Sequence, residues 1–154
     1  MKPLVRLSFI LALLAAQGIS PTLAADEAAP RFNHAAFYVV DLKVSTDFYR
    51  EVVGLPVMPE PFHDGKHAWF EIGPKQALHI ISGAEKILPK EKRTHLCLSV
   101  PSVDAFAARL ASHKVGYENL AGEKSAITRR PDGVNQIYFQ DPDGNWIEIN
   151  DAKE

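Results

Sequence analysis

The feature that most constrains this chain is that it repeats itself. Phe32 to Val40 is rich in aromatic and β-branched residues and reads as a strand, with Asp41 as the turn or cap that follows. Val44, Phe48 and Val52 then recur at helical spacing, and Gly54 stands where a left-handed residue stops a helix. A short extended piece follows at Pro56 to Met58, then a loop carrying Pro59, Pro61 and Asp64-Gly65. Next come a strand from His67 to Ile72, a turn at Gly73 to Gln76, and a returning strand from Ala77 to Ser82. About sixty residues later the order recurs. Thr94 to Val100 is a strand, Ser102 an N-cap, and Val103, Phe106, Ala107 and Leu110 are one face of a helix that Gly116 is expected to stop. Weak extended segments near Tyr117 and Ala126 lead to Val134 to Gln140, a tight Asp141-Pro142-Asp143-Gly144 turn, and a last strand from Asn145 to Asn150. The expected fold is therefore α+β: two βαβββ modules, 32–82 and 94–150, joined by the charged, proline-containing linker Gly83 to Arg93.

The segment ahead of the repeat reads as a secretory signal. Lys2 and Arg6 make a positive start, Leu7 to Ala16 is apolar, and Thr22-Leu23-Ala24 is a small-residue cleavage pattern. The apolar run is shorter than the roughly 20 residues a bilayer span needs. The expected organisation is a signal peptide at 1–24, a leader at 25–31 and one domain at 32–150, with the mature chain in the periplasm or secreted and not held in a membrane. At 154 residues, 46% hydrophobic and 23% charged, the chain suits one compact core. Loss of Lys2 and Arg6 with the signal takes the formal charge from −2 to −4, since no acidic residue precedes Asp26. No basic stripe or aromatic-rich basic patch points to nucleic acid. The single cysteine, Cys97, rules out an internal disulfide; between Leu96 and Leu98 it reads as a small buried thiol.

Chemistry is located by asking which strand face each polar residue occupies, since successive side chains alternate. His34 alternates with Ala35, Phe37 and Val39; His79 with Leu78 and Ile80; His95 with Leu96, Leu98 and Val100; Glu148 with Ile147 and Ile149. In all four strands one face is apolar enough to take a helix and the other carries a histidine or a carboxylate. His34 and His95 lie early in the first strand of their modules, and His79 and Glu148 lie in the last. A pseudo-twofold relation between modules would bring these four together. Imidazole nitrogen and carboxylate oxygen suit Zn, Ni, Mn or Fe(II), and three histidines with one glutamate leave room for water or substrate. His63 and His67 lack that symmetry and read as surface or substrate-side residues.

Three segments carry a resemblance. Phe32 to Leu42 with Phe48-Tyr49 and Gly54-Leu55, then Thr94 to Val100, and most specifically Tyr138 to Ile149, resemble the vicinal oxygen chelate superfamily of glyoxalase I, fosfomycin-resistance proteins and extradiol dioxygenases. The likeness covers Phe32 to Asn150. It implies paired βαβββ modules in an open, cupped mixed sheet, with a divalent metal inside the cup. Carried over by position, His34, His95 and Glu148 match the recurrent ligands. His79 falls where glyoxalase I-like members have Glu or Gln, so it is either a fourth ligand or, with Glu71 on the same strand face as Trp69, a catalytic base. Trp69, Arg129 and Tyr138 are the expected substrate contacts, with Arg130 as the alternative arginine.

Three functions remain open. The reading leans to an enzyme: a metal-dependent lyase or isomerase acting on a small oxygen-chelating substrate in a glyoxalase-like manner. A second is an Fe(II) extradiol-type dioxygenase. The third is a binding protein that sequesters a small molecule, as bleomycin-resistance members do. Export weighs against glutathione as co-substrate, and against fosfomycin modification for the same reason. The modules could close a site within one chain or by exchange in a homodimer.

Overall fold

The computed structural model describes residues 29–153. The expected signal and residues 25–28 of the leader lie outside them. Two four-stranded mixed sheets form, in the orders β1-β4-β3-β2 and β5-β8-β7-β6. The first comprises β1 (His34–Val39), β2 (Val57–Met58), β3 (His67–Gly73) and β4 (Gln76–Ser82); the second comprises β5 (His95–Ser99), β6 (Thr128–Arg129), β7 (Asn135–Gln140) and β8 (Trp146–Asn150). In each sheet the first strand runs parallel to the last, and the remaining neighbours are antiparallel. The repeat is thus a repeat of topology, and neither sheet closes into a barrel.

Each module's helix starts on a side-chain cap. The Asp41 carboxylate accepts from the Val44 N–H at 3.0 Å ahead of α1 (Leu42–Asp47), and the Ser102 hydroxyl accepts from the Ala105 N–H at 3.2 Å ahead of α2 (Val103–Ser112). α1 runs on as a π-helical segment, Phe48–Val53, which ends on Gly54 at φ +86° as expected. Gly116 does not stop α2. The helix ends at Ser112, and Lys114 takes the left-handed turn at φ +60°. The reason is local: with Lys114 left-handed, the Val115 N–H already closes the helix end onto the Leu110 carbonyl at 2.9 Å, before the chain reaches the glycine.

The apolar strand faces make a single core. Val39, Phe70, Leu78 and Ile80 from one sheet, and Ile137, Phe139, Ile147 and Ile149 from the other, are buried with Tyr49, Val53, Phe106 and Leu110 of the helical segments. Phe139 meets Phe48 at 6.2 Å and Phe106 at 5.9 Å between ring centroids, so the modules share one interior. Polar ties secure the same contact. The Asp141-Pro142-Asp143-Gly144 turn reaches into the first module, where Asp141 accepts from the Tyr49 hydroxyl at 2.7 Å. Asp143 accepts from the Ser45 hydroxyl at 2.8 Å and the Val40 N–H at 2.7 Å. Elsewhere the Arg109 guanidinium of α2 donates to the Val52 and Glu51 carbonyls, both at 2.7 Å.

Candidate metal centre

With the apolar faces turned inward, the other strand faces carry the titratable groups. Register puts His34, Ala36 and Tyr38 of β1 level with Ala77, His79 and Ile81 of β4, and places Trp69 beside His79. The rings of His34, His79 and Trp69 form a ladder across three strands. His34 and His79 are 4.3 Å apart and within 8° of parallel; His79 and Trp69 are 4.0 Å apart and parallel. The expected pair of ligands from the first module is therefore together.

On the second module, register sets His95, Cys97 and Ser99 of β5 against Trp146, Glu148 and Asn150 of β8, with Tyr138 of β7 across from Glu148. His95 Nε2 lies 3.2 Å from Glu148 Oε2. This second expected pair is also together.

Both first-strand histidines are oriented by their other ring nitrogen. Nδ1 of His34 is 2.8 Å from the Asn33 side-chain oxygen, and Nδ1 of His95 is 2.8 Å from the Lys92 carbonyl. A proton on Nδ1 would leave the Nε2 lone pair for a metal, the arrangement that ligating histidines favour. His79 makes no hydrogen bond among the described residues. Burial, with His34 and His67 nearby, lowers its pKa and favours the neutral ring.

Glu148 is held by a network that sequence reading did not resolve. The Tyr138 hydroxyl donates to it at 2.5 Å, Asn150 Nδ2 at 3.0 Å and the Cys97 thiol at 3.4 Å. Gln136 Nε2 donates in turn to the Tyr138 hydroxyl at 2.9 Å. Burial alone would raise the Glu148 pKa, but these donors and the neighbouring His95 hold it below the ordinary range, so the carboxylate is ionised and fixed in direction. Desolvation and the Glu148 charge push the Cys97 thiol up to about 12. Cys97 is exposed rather than buried as expected, because alternation aims it at the glutamate face and Leu96 and Leu98 at the core. Tyr138, expected to touch substrate, has its hydroxyl engaged by Glu148.

The two pairs do not meet within one chain. Among the described residues no group of three or more potential ligands gathers. His95 borders a cavity of about 460 Å³ whose other wall includes Ala35 and Phe37, the side of β1 opposite His34. Glu71 lies level with Ala77 on the His79 face and borders a separate cavity with Gln76, Cys97 and Ser99. Arg129 pairs with Asn135, out of phase with Tyr138 and Glu148, whereas Thr128 pairs with Gln136 on their face. The alternation signal that located the histidines could have separated Arg129 from Arg130, had the two-residue β6 been legible.

By donor type, the pairs suit a divalent metal: two imidazoles from one module, and an imidazole with an ionised carboxylate from the other. Residues 31–149 match the profile of the Glyoxalase/Bleomycin resistance protein/Dioxygenase superfamily. The uncharacterised protein YwbC of Bacillus subtilis is 30% identical over 79% of this chain and 97% of its own length. The metallothiol transferase FosB of Shouchella clausii is 31% identical over 77% of each chain. Among solved structures, a glyoxalase family protein from Bacillus anthracis has TM-score 0.65 and 25% identity over 84% of this chain and all of that one. Oxidase ChaP-H2 has TM-score 0.67 and 24% identity over 82% and 96% of the two chains.

Proposed function

We propose that this chain, which belongs to the Glyoxalase/Bleomycin resistance protein/Dioxygenase superfamily, is a metal-dependent enzyme of the lyase or isomerase kind, acting on a small substrate that offers two neighbouring oxygens. Its metal is held by His34, His79, His95 and Glu148. The single observation that carries the reading is the matched orientation of His34 and His95, each engaged at Nδ1, with Nε2 of His95 directed at the Glu148 carboxylate.

Because the two pairs stand apart in one chain, the site in this reading is completed by a second copy, whose first module faces the second module of its partner. The shared core and the Asp141 and Asp143 ties support it, since they hold each chain's own modules in the packing that keeps the pairs separate. A divalent ion bound there supplies Lewis acidity to the substrate oxygens. The protein does the rest. Tyr138, Asn150 and Cys97 keep the Glu148 carboxylate ionised and aimed, and Asn33 and Lys92 fix the imidazole tautomers. Trp69 holds the His79 ring in plane. With His79 on the metal, Glu71 on the same strand face is the group that can accept a substrate proton; with the metal held by the other three residues, His79 can take that role. Export to the periplasm or beyond is part of the proposal and is checked by the N-terminal mass of the mature chain.

Elemental analysis of protein purified without chelator tests the metal, and co-expressed variants test the shared site. One ion per chain, absent from His34→Ala and from Glu148→Ala alone, is expected. Co-expression of those two variants is expected to restore one intact site per mixed pair. Zn or Ni favours lyase or isomerase chemistry, and Fe(II) favours the dioxygenase alternative. No ion in wild type after reconstitution leaves the small-molecule binding protein standing, and metal-free mixed pairs place the site within one chain.

A further inference from the structure

The glutamate face of the second module has few cations free to meet a ligand. Lys92 is enclosed: its ammonium pairs with Glu118, lies 3.3 Å from the Asn119 carbonyl, and sits 5.1 Å over the Trp146 ring and 5.8 Å over that of Tyr138. Lys124 pairs with the same glutamate. Arg129 belongs to the opposite face. It pairs in register with Asn135, whose N–H and side-chain amide donate to Asp151 at 2.7 and 2.8 Å, and its charge bears on that aspartate.

Arg130 differs. Its N–H closes the hairpin onto the Val134 carbonyl at 2.8 Å, which continues the alternation from Thr128 and returns Arg130 to the face of Gln136, Tyr138 and Glu148. Its charge accordingly bears on both Cys97 and Tyr138. The side chain is 40% exposed, and one amino group donates to Asp132 at 2.5 Å, leaving the other guanidinium donors open. A planar fork of N–H donors beside a face of hydrogen-bonding side chains matches a carboxylate or a phosphorus oxyanion.

We propose that Arg130 seats an anionic group of the substrate, a carboxylate, phosphonate or phosphate, at the rim of the face that carries His95 and Glu148. The assignment makes the substrate an anion with a second, oxygen-bearing part, and it rests on the reading of that face as the substrate site. Arg130 is a specificity residue and Arg129 is not. Asp132 occupies part of the guanidinium in the absence of ligand and competes with it.

The test uses the full-length chain stripped of metal with EDTA, titrated with inorganic phosphate at low ionic strength and followed by calorimetry. Wild type is expected to bind saturably, Arg130→Ala about tenfold or more weakly, Arg129→Ala like wild type, and Asp132→Asn more tightly because the competing carboxylate is gone. Circular dichroism verifies that each variant is folded. Equal binding by wild type and Arg130→Ala, no saturable binding, or a loss confined to Arg129→Ala overturns the assignment. The metal analysis reads separately. Phosphate bound through Arg130 by a chain that takes up no metal keeps the anion seat and removes the metalloenzyme, and metal uptake without a phosphate site does the reverse.

Discussion

Tyr138 is the residue whose role changed most between sequence and structure. Its strand, face and register follow from alternation, but the partner of its hydroxyl does not, because Glu148 lies on another strand. Tyr138→Phe keeps the buried ring and removes the donor, leaving Glu148 short of its strongest hydrogen bond and Gln136 without an acceptor. The expected outcome is a loss of about tenfold to a hundredfold in metal affinity with an unchanged fold, measured by competition with a chromophoric chelator. Glu118 offers a pH test at the same scale. Hydrogen bonds from Lys124 and Lys92 hold its pKa below the ordinary 4.5, so folding is favoured above that value. That contribution is lost as pH falls through the lower native pKa, where the folded state must also take up the proton. Urea midpoints measured from pH 5 to pH 3 are expected to fall less steeply in Glu118→Gln than in wild type.

At the scale of elements, helix starts were readable and helix ends less so. Asp41 and Ser102 cap the helices through their own side chains, a local interaction that sequence carries. Gly54 was equally legible, since few residues other than glycine take φ +86° readily. Gly116 was misleading because it has no positive φ and no neighbour within 4 Å of an added Cβ. The two glycines make a paired prediction. Gly54→Ala forces a left-handed alanine whose Cβ would lie 2.9 Å from the Arg109 guanidinium, disturbing its bonds to Glu51 and Val52. A loss of about 2 kcal/mol is expected from the backbone cost and the disturbed capping. Gly116→Ala is expected to be near neutral. Chemical denaturation of both variants checks the contrast. The two-residue β6 was legible only as a weak extended segment near Ala126, too short for a period-two pattern to fix its bounds, and the choice between Arg129 and Arg130 was lost with it.

For the whole molecule, the decisive contacts join residues about a hundred apart in the chain. Ser45 meets Asp143 and Tyr49 meets Asp141, all buried. The turn that gave the sequence its most specific resemblance thus serves partly to fasten one module to the other. Asp143→Ala leaves the Ser45 hydroxyl buried without its acceptor and the Val40 N–H without its own. A loss of about 3 kcal/mol is expected, read as a lower urea midpoint. Tyr49→Phe, which spares the ring and leaves Asp141 its bonds to Asn145, is expected to lose less.

The repeat, every strand but β6, both helix caps, and the membership of His34, His79, His95 and Glu148 on polar faces are written in the sequence. Each of these follows from a period or a cap confined to a short stretch of chain. Which of those residues stand within reach of one another was settled by the packed fold. It paired His34 with His79 and His95 with Glu148, gave Tyr138 to Glu148, and left the two pairs apart among the described residues. Those outcomes depend on sheet order and on how the two apolar faces share a core. Strand alternation carries no information about the rigid-body relation between two modules, which is set by packing and buried hydrogen bonds between distant segments.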